Sequence, residues 1–148
     1  MATARYTVAM RPISIRFSDE LYHRLKRRAD LEGEPLSTLA QQAIDEWLRT
    51  VEHPGVVFRD GPTGRRAALA AGPDVWEVAA VLAQQKGSPE KRIAATATHL
   101  GLPIRQVEIA ADYWAAHRAE IDGRVKANIE AAERELAAWE NRRAILGA

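Results

Sequence analysis

The sequence of 148 residues contains no cysteine. This absence excludes disulfide bonds, thiol catalysis, zinc sites built on thiolates and iron–sulfur clusters. Aromatic residues make up only 6% of the chain and 28 residues are alanine, so a hydrophobic content of 47% overstates the bulk available for a core. No apolar run approaches the roughly 18 residues of a membrane span, and the N-terminus has no apolar signal region. We therefore expect a cytoplasmic protein that does not enter a membrane.

The small net charge of +1 conceals a basic N-terminal segment. Residues 1–28 carry seven arginine or lysine residues, Arg5 and Arg11 among them, but only two acidic residues. Residues 119–148 are nearly balanced in charge. This asymmetry predicts an anionic partner at one end of the protein.

The first fifty residues contain the signals of one strand and two helices. Residues 12–17 alternate in polarity, as a strand with one apolar face does. The first helix is predicted to begin after Ser18, its N-cap, and to end at Gly33. The second helix is predicted to have Ser37 as its cap and to end near Thr50. The apolar residues of the strand are Ile13, Ile15 and Phe17.

A lone strand has no partner for its backbone groups, and a unit of about 50 residues rarely buries enough surface to fold alone. This part of the sequence offers no second strand. The pattern therefore predicts a second copy of the chain, with the two strands pairing as an antiparallel ribbon over a shared four-helix core.

The rest of the chain reads as a hairpin followed by helices. The strands are predicted at 56–59 and 65–69, around a loop rich in glycine. Three helices are predicted to open at Asp74, Ser88 and Pro103. A long amphipathic helix is predicted near 121–146, with apolar residues at alternating spacings of four and three. The expected fold class is mostly α, and the expected domains are 1–52, 53–118 and 119–148.

The order of elements in residues 11–50 resembles the ribbon-helix-helix superfamily, which includes the MetJ, Arc and CopG repressors and many type II antitoxins. The resemblance covers about a quarter of the chain. Pro12 departs from the family pattern, in which a polar or basic residue is usual at this place, and we expect it at the end of the ribbon. The matching residues are the strand Pro12-Ile13-Ser14-Ile15-Arg16-Phe17, the cap Ser18, the leucines Leu21 and Leu25, and the turn Gly33-Glu34-Pro35-Leu36-Ser37.

The resemblance implies that two strands enter the DNA major groove and that Ser14 and Arg16 contact bases. Arginine can donate two hydrogen bonds to guanine, and serine can donate or accept one. Arg11 is expected on a phosphate. The implied function is a homodimeric transcriptional regulator, a repressor or the antitoxin of a toxin–antitoxin pair, that binds an operator in double-stranded DNA.

The backbone N–H groups at the start of the second helix are expected to hold a DNA phosphate. The residues that would donate them are Ser37, Thr38 and Leu39. Such contacts position the ribbon without reading sequence. The alternative for the whole N-terminal unit is an ordinary solvated surface that only dimerises. The protein would then be an adaptor that acts through its C-terminal helix.

Residues 55–118 resemble, less specifically, a small domain of uncertain function found beside antitoxin-like DNA-binding regions. Ala97, Gly101 and Val107 also have the spacing of a helix-turn-helix. The would-be recognition helix carries Glu108 and Asp112, and acidic groups repel phosphates. A helical packing module is therefore favoured over a second DNA site.

The last helix has three possible roles. It can form a coiled coil between subunits, dock on the protein's own second domain, or bind a toxin, and ordinary core packing is at least as well supported. The candidate partner-binding residues are Leu136, Trp139, Arg142 and Arg143.

The sequence does not indicate an enzyme. The four histidines have no short metal-ligand spacing and are expected at surface or boundary positions. The loop 61–65 lacks the lysine and hydroxyl residue of a phosphate-binding loop, so a turn is the better interpretation. We expect no catalytic residues, no metal and no cofactor.

Overall fold

The protein is described by a computed structural model, which covers residues 11–147. Arg5, part of the basic segment, and residues 1–10 as a whole lie outside the described residues. The prediction of a mostly helical fold with one small antiparallel sheet is confirmed. In chain order the elements are α1 (Asp19–Glu32), α2 (Leu36–Glu52), β1 (Val56–Arg59), β2 (Arg66–Leu69), α3 (Val75–Gln84), α4 (Pro89–Leu100), α5 (Ile104–Ala116) and α6 (Arg118–Ile145).

Local capping signals set the limits of α1 and α4. The Ser18 hydroxyl accepts a hydrogen bond from the Leu21 N–H at 3.3 Å, and Ser88 caps α4 in the same way. Both helices end at a glycine in the left-handed conformation, with φ of 68° at Gly33 and 65° at Gly101. Glycine adopts this conformation without the steric cost that a Cβ brings. The predicted start and end of α1 and the predicted start of α4 are confirmed.

Two other helices are longer than predicted. Helix α2 ends at Glu52 rather than near Thr50. Helix α6 begins at Arg118, directly after α5, rather than near Ile121. The apolar spacing used for the prediction starts only where the helix becomes buried, so it misses the exposed first turn.

The predicted strand at 12–17 has no partner among residues 11–147. Residues 11–18 form neither a helix nor a paired strand. In the expected ribbon, the strand would gain its hydrogen bonds from a second chain, so the strand stays a prediction.

The two strands of the hairpin pair in antiparallel register, with Val56 opposite Leu69 and Arg59 opposite Arg66. Strand β2 begins at Arg66, one residue later than predicted. Val56 and Leu69 are buried, and they pack with helices α3 to α6 in one core. That core includes Tyr113, the largest fully buried side chain.

The chain divides into two compact units between Ala43 and Ile44, within helix α2. The second unit contains the hairpin and helices α3 to α6. Ile121 belongs to its core, with Val125 packed against it, so the first turns of α6 are part of this unit. The predicted boundaries were 52/53 and 118/119.

The buried carboxylate of Asp74 connects the hairpin to the start of α3. It accepts hydrogen bonds from Arg59 of β1, at 3.2 and 3.1 Å, from Arg66 of β2, and from the Trp76 indole at 3.3 Å. The Asp74 N–H donates to the Glu77 carboxylate at 2.8 Å, as in a capping box. Burial alone raises the pKa of Asp74, but the hydrogen bonds and charges of Arg66 and Arg59 outweigh burial and hold the pKa below its usual range.

Candidate nucleic-acid interface

Residues 11–18 expose both their polar and their apolar side chains. Ile13 is 77% exposed and Ile15 is 48% exposed, while Phe17 is half-buried. Ser14 and Arg16, the predicted base-contacting residues, are exposed as well. The segment therefore presents two alternating sets of side chains, one apolar and one polar, that the single chain leaves in solvent.

Positive charge in this region is partly uncompensated. On α1, Lys26 Nζ lies 3.2 Å from Asp30, and Arg28 forms an ion pair with Glu32. Such exposed pairs contribute little to stability, but they reduce the charge that an anion would meet. Four arginines of this N-terminal region, namely Arg11, Arg16, Arg24 and Arg27, form no ion pair with any of residues 11–147.

Helix α2 starts earlier than its predicted cap. The Pro35 carbonyl accepts a hydrogen bond from the Leu39 N–H at 3.1 Å, and the helix begins at Leu36. The prediction that Ser37 is the N-cap is wrong, because Pro35 occupies that position and Ser37 lies inside the first turn. Leu39 is also wrong as a phosphate donor, since its N–H is bonded within the helix. The first-turn N–H groups without an intrahelical acceptor are those of Leu36, Ser37 and Thr38. Ser37 and Thr38 therefore lie where the predicted phosphate donors should be, in the first turn of α2.

The residues with helix-turn-helix spacing serve to pack α4 against α5. Ala97 is 6% exposed and Val107 is fully buried, and Gly101 makes the turn between the helices. At the start of α5, Arg105 lies 3.4 Å from the Glu108 carboxylate. Arg105, the one basic residue of the would-be recognition helix α5, is therefore paired with an acid of the same helix.

A polar cluster that sequence reasoning missed lies in the second unit. Arg49 Nη1 donates to the Tyr113 hydroxyl at 3.0 Å and to the Glu120 carboxylate at 2.5 Å. These partners are 64 and 71 residues away along the chain, so no local spacing indicates the contact. Burial alone lowers the pKa of Arg49, but its hydrogen bonds to Tyr113 and Glu120 raise the pKa overall. The cluster joins the end of α2 to α5 and α6.

Two histidine rings contact the Tyr113 ring within this cluster, His53 edge-on and His117 at a tilt. The ring centroid of Tyr113 lies 5.1 Å from that of His53 and 4.4 Å from that of His117. Both histidines are half-buried, as a boundary position requires. Burial, followed by the charge of Arg49, lowers the pKa of His117. Its Nε2 atom is buried and has no hydrogen-bond partner within the described residues.

We expect the protein to lose stability in mild acid because of His117. A lowered folded pKa means that the unfolded chain binds the proton more readily. The contribution of His117 is therefore complete above an ordinary histidine pKa of about 6.5 and is lost as the pH falls through the folded value. Urea denaturation between pH 7 and pH 5 measures this loss, which His117→Gln should reduce. The control is His99→Gln, at an exposed position on α4. If the free energy of unfolding of His117→Gln falls with pH as steeply as that of the parent, the assignment to His117 is contradicted.

The four candidate partner-binding residues lie on the exposed second half of α6. Leu136 is 56% exposed and Trp139 is 50% exposed. The guanidinium of Arg143 lies 5.3 Å from the centroid of the Trp139 ring, which is a cation–π distance. Trp139, Arg142 and Arg143 also line one shallow pocket near the end of the helix. The structure thus brings three of the predicted residues together.

Comparisons with protein families, curated proteins and solved structures give no match to this chain. Among residues 11–147 no helix is both long and apolar enough to cross a membrane. The same part of the chain holds no cluster of three or more side chains that could ligate a metal ion.

Proposed function

We propose that the protein is a homodimeric DNA-binding transcriptional regulator of the ribbon-helix-helix type, acting as a repressor. In this proposal Ser14 and Arg16 read bases in the major groove. Arg11 contacts a phosphate, and the first turn of α2 at Ser37 and Thr38 contacts another.

The unpartnered segment 12–17 carries this proposal. Its backbone needs hydrogen-bond partners, and its isoleucines Ile13 and Ile15 are exposed in the single chain. Antiparallel pairing with a second copy would supply the backbone partners. Because side chains alternate across a strand, pairing would bury Ile13 and Ile15 on one face and turn Ser14 and Arg16 to the other.

The apolar stripe of α2 supports the same arrangement. Ile44 is 42% exposed, Trp47 is 63% exposed and Leu48 is 44% exposed. Soluble monomers rarely leave several large apolar side chains of one helix in solvent, and such a surface marks an interaction site. A shared core between two chains would cover these residues.

The polar face has the chemistry for DNA. Arg16 forms no ion pair within residues 11–147, so its guanidinium can donate two hydrogen bonds to O6 and N7 of guanine. The start of α2 offers backbone N–H groups and the positive end of the helix dipole to a phosphate. Arg16 would thus read the base sequence, whereas the N–H groups at the start of α2 would position the protein on the DNA backbone.

Binding to a duplex selected from a random pool tests the proposal. With Arg11 of both chains on phosphates, log affinity should fall against log salt with a slope of about −2. Arg16→Ala should cost about 1–3 kcal/mol on the selected site and relax the preference at one base pair of each half-site. Arg105→Ala removes the same charge from an arginine paired with Glu108 on α5, and it should bind as the parent does.

Two outcomes would contradict the proposal. The first is a chain with no salt-dependent affinity for any duplex. The second is an Arg16→Ala variant that keeps the full base preference of the parent, which would remove Arg16 from the base-reading role.

The second candidate function is that of an adaptor or antitoxin that binds another protein through α6. The observation that favours it is the exposure of Leu136 and Trp139 beside two arginines. The salt experiment separates the candidates, because a pure adaptor has no affinity for a duplex. In the antitoxin version, DNA binding and toxin binding reside in different parts of the chain.

A further inference from the structure

The second half of α6 carries an apolar stripe that nothing in the chain covers within the described residues. Ile129 is 53% exposed and Leu146 is 76% exposed, whereas Ile121 of the same helix is buried. The spacing of the stripe alternates between three and four residues, as in the seam of a coiled coil. Its members are Ile129, Ala132, Leu136, Trp139, Arg143 and Leu146.

We propose that residues 129–146, the second half of α6 with its C-cap Leu146, pair with the same segment of a second copy of this chain, in antiparallel orientation. The segment has 18 residues and is about 27 Å long as a helix. This contact is additional to the ribbon and does not depend on DNA binding.

The apolar side chains determine the orientation and the register of the two paired helices. With the twofold axis between Ala137 and Ala138, Leu136 lies opposite Trp139 of the second copy, and Ile129 lies opposite Leu146. Every large apolar residue of the stripe is then covered by another. A parallel pair would instead place two copies of Arg143 opposite each other within the seam, where a charge is costly to bury.

The charges beside the seam favour the same orientation. In the antiparallel pair Glu135 lies beside Arg142 of the second copy, whereas in a parallel pair Glu135 would lie beside Glu140. In the antiparallel pair, Glu133 of one copy approaches Glu140 of the other. Arg143 of that other copy faces Ala132, the neighbour of Glu133, and its positive charge offsets this repulsion. Neither Arg142 nor Arg143 forms an ion pair within residues 11–147 of the single chain.

The occupant of the stripe is therefore a second copy because the surface is complementary to itself. Around a twofold axis, residue i of one copy contacts residue j of the other, and residue j of the first contacts residue i of the second. The surface must therefore be complementary to itself. The stripe meets that condition in its apolar residues and in the pairing of Glu135 with Arg142. A groove of about 420 Å³, lined in part by Val125 and Ile129, lies at the end where Leu146 of the second copy would be placed.

Disulfide trapping in the full chain tests the pairing, because the natural sequence has no cysteine. The double variant Ile129→Cys/Leu146→Cys should form a covalent dimer on oxidation, since facing seam positions come within the 4.4–6.8 Å between Cα atoms that a disulfide needs. Ile129→Cys and Leu146→Cys alone should stay uncross-linked. Both cysteines of one chain lie about 25 Å apart along one helix, so an internal bridge is impossible.

The control places two cysteines outside the seam, at positions with the same midpoint along the helix as the test pair. Ala131→Cys/Ala144→Cys has the same midpoint as the test pair, and it should remain monomeric on a non-reducing gel. Cross-linking of both single variants would overturn the proposal in favour of a parallel pair. No cross-linking of the double variant would overturn it as well, and would leave the stripe to a different protein. Since the ribbon does not predict this pattern, the result is independent of the proposed function.

Discussion

Replacing Ile15 with alanine is expected to break the ribbon contact between the two chains. Truncating a buried isoleucine costs about 2–5 kcal/mol, and each dimer would contain two such sites. The dissociation constant of the ribbon contact should therefore rise by at least about 700-fold, as measured by sedimentation equilibrium over a range of protein concentrations. DNA affinity should fall with it, because each half-site is read by a ribbon that needs both chains.

Ser14→Ala is the matched control for Ile15→Ala. The two residues are neighbours on the same segment, and both are exposed in the single chain. Strand pairing places them on opposite faces, so Ser14→Ala should leave the dimer intact and weaken only the contact with DNA. If both variants dimerise like the parent, residues 12–17 do not form the ribbon.

Replacing Asp74 with asparagine is expected to destabilise the second unit by about 3–5 kcal/mol. Asparagine keeps the size of the side chain but removes the charge that faces Arg59 and Arg66. Arg66 is then left partly buried without its carboxylate, and its side chain is only 16% exposed. The midpoint of urea denaturation, followed by circular dichroism, measures the loss.

Asp112→Asn is the control for the Asp74 variant. Asp112 is exposed on α5, so the same chemical change should alter the free energy of unfolding by no more than about 0.5 kcal/mol. Equal stability of Asp74→Asn and the parent would mean that the contacts of Asp74 with the two arginines do not hold the hairpin.

The parts of the fold that follow from short-range signals could be predicted from the sequence. Ser88, Pro89 and Gly101 define the ends of α4 by chemistry that acts within one helical turn. The hairpin likewise follows from two short apolar runs around a glycine-rich loop. The start of α2 shows the limit of such signals, because Ser37 looks like a cap and Pro35 takes that position.

Contacts between distant parts of the chain could not be predicted. Arg49 sits in the last turn of α2 and looks like a solvated cation, yet it binds Glu120, 71 residues later. The sequence does mark Asp74 as a helix start, but not the two arginines that reach it from the hairpin. For the candidate interface, the alternation of residues 12–17 is visible in the sequence, and the exposure of Ile13 and Ile15 is what the structure adds.

The contacts of both hairpin strands with one carboxylate have a consequence for how the second unit opens. A two-stranded hairpin is marginal by itself in water, and here each strand sends one arginine to Asp74, at the start of a helix. Amide protons of β1 and β2 should therefore exchange with solvent only when that helix also comes apart. The sheet and the helices then behave as one cooperative unit, and local fraying is confined to the loop 60–65.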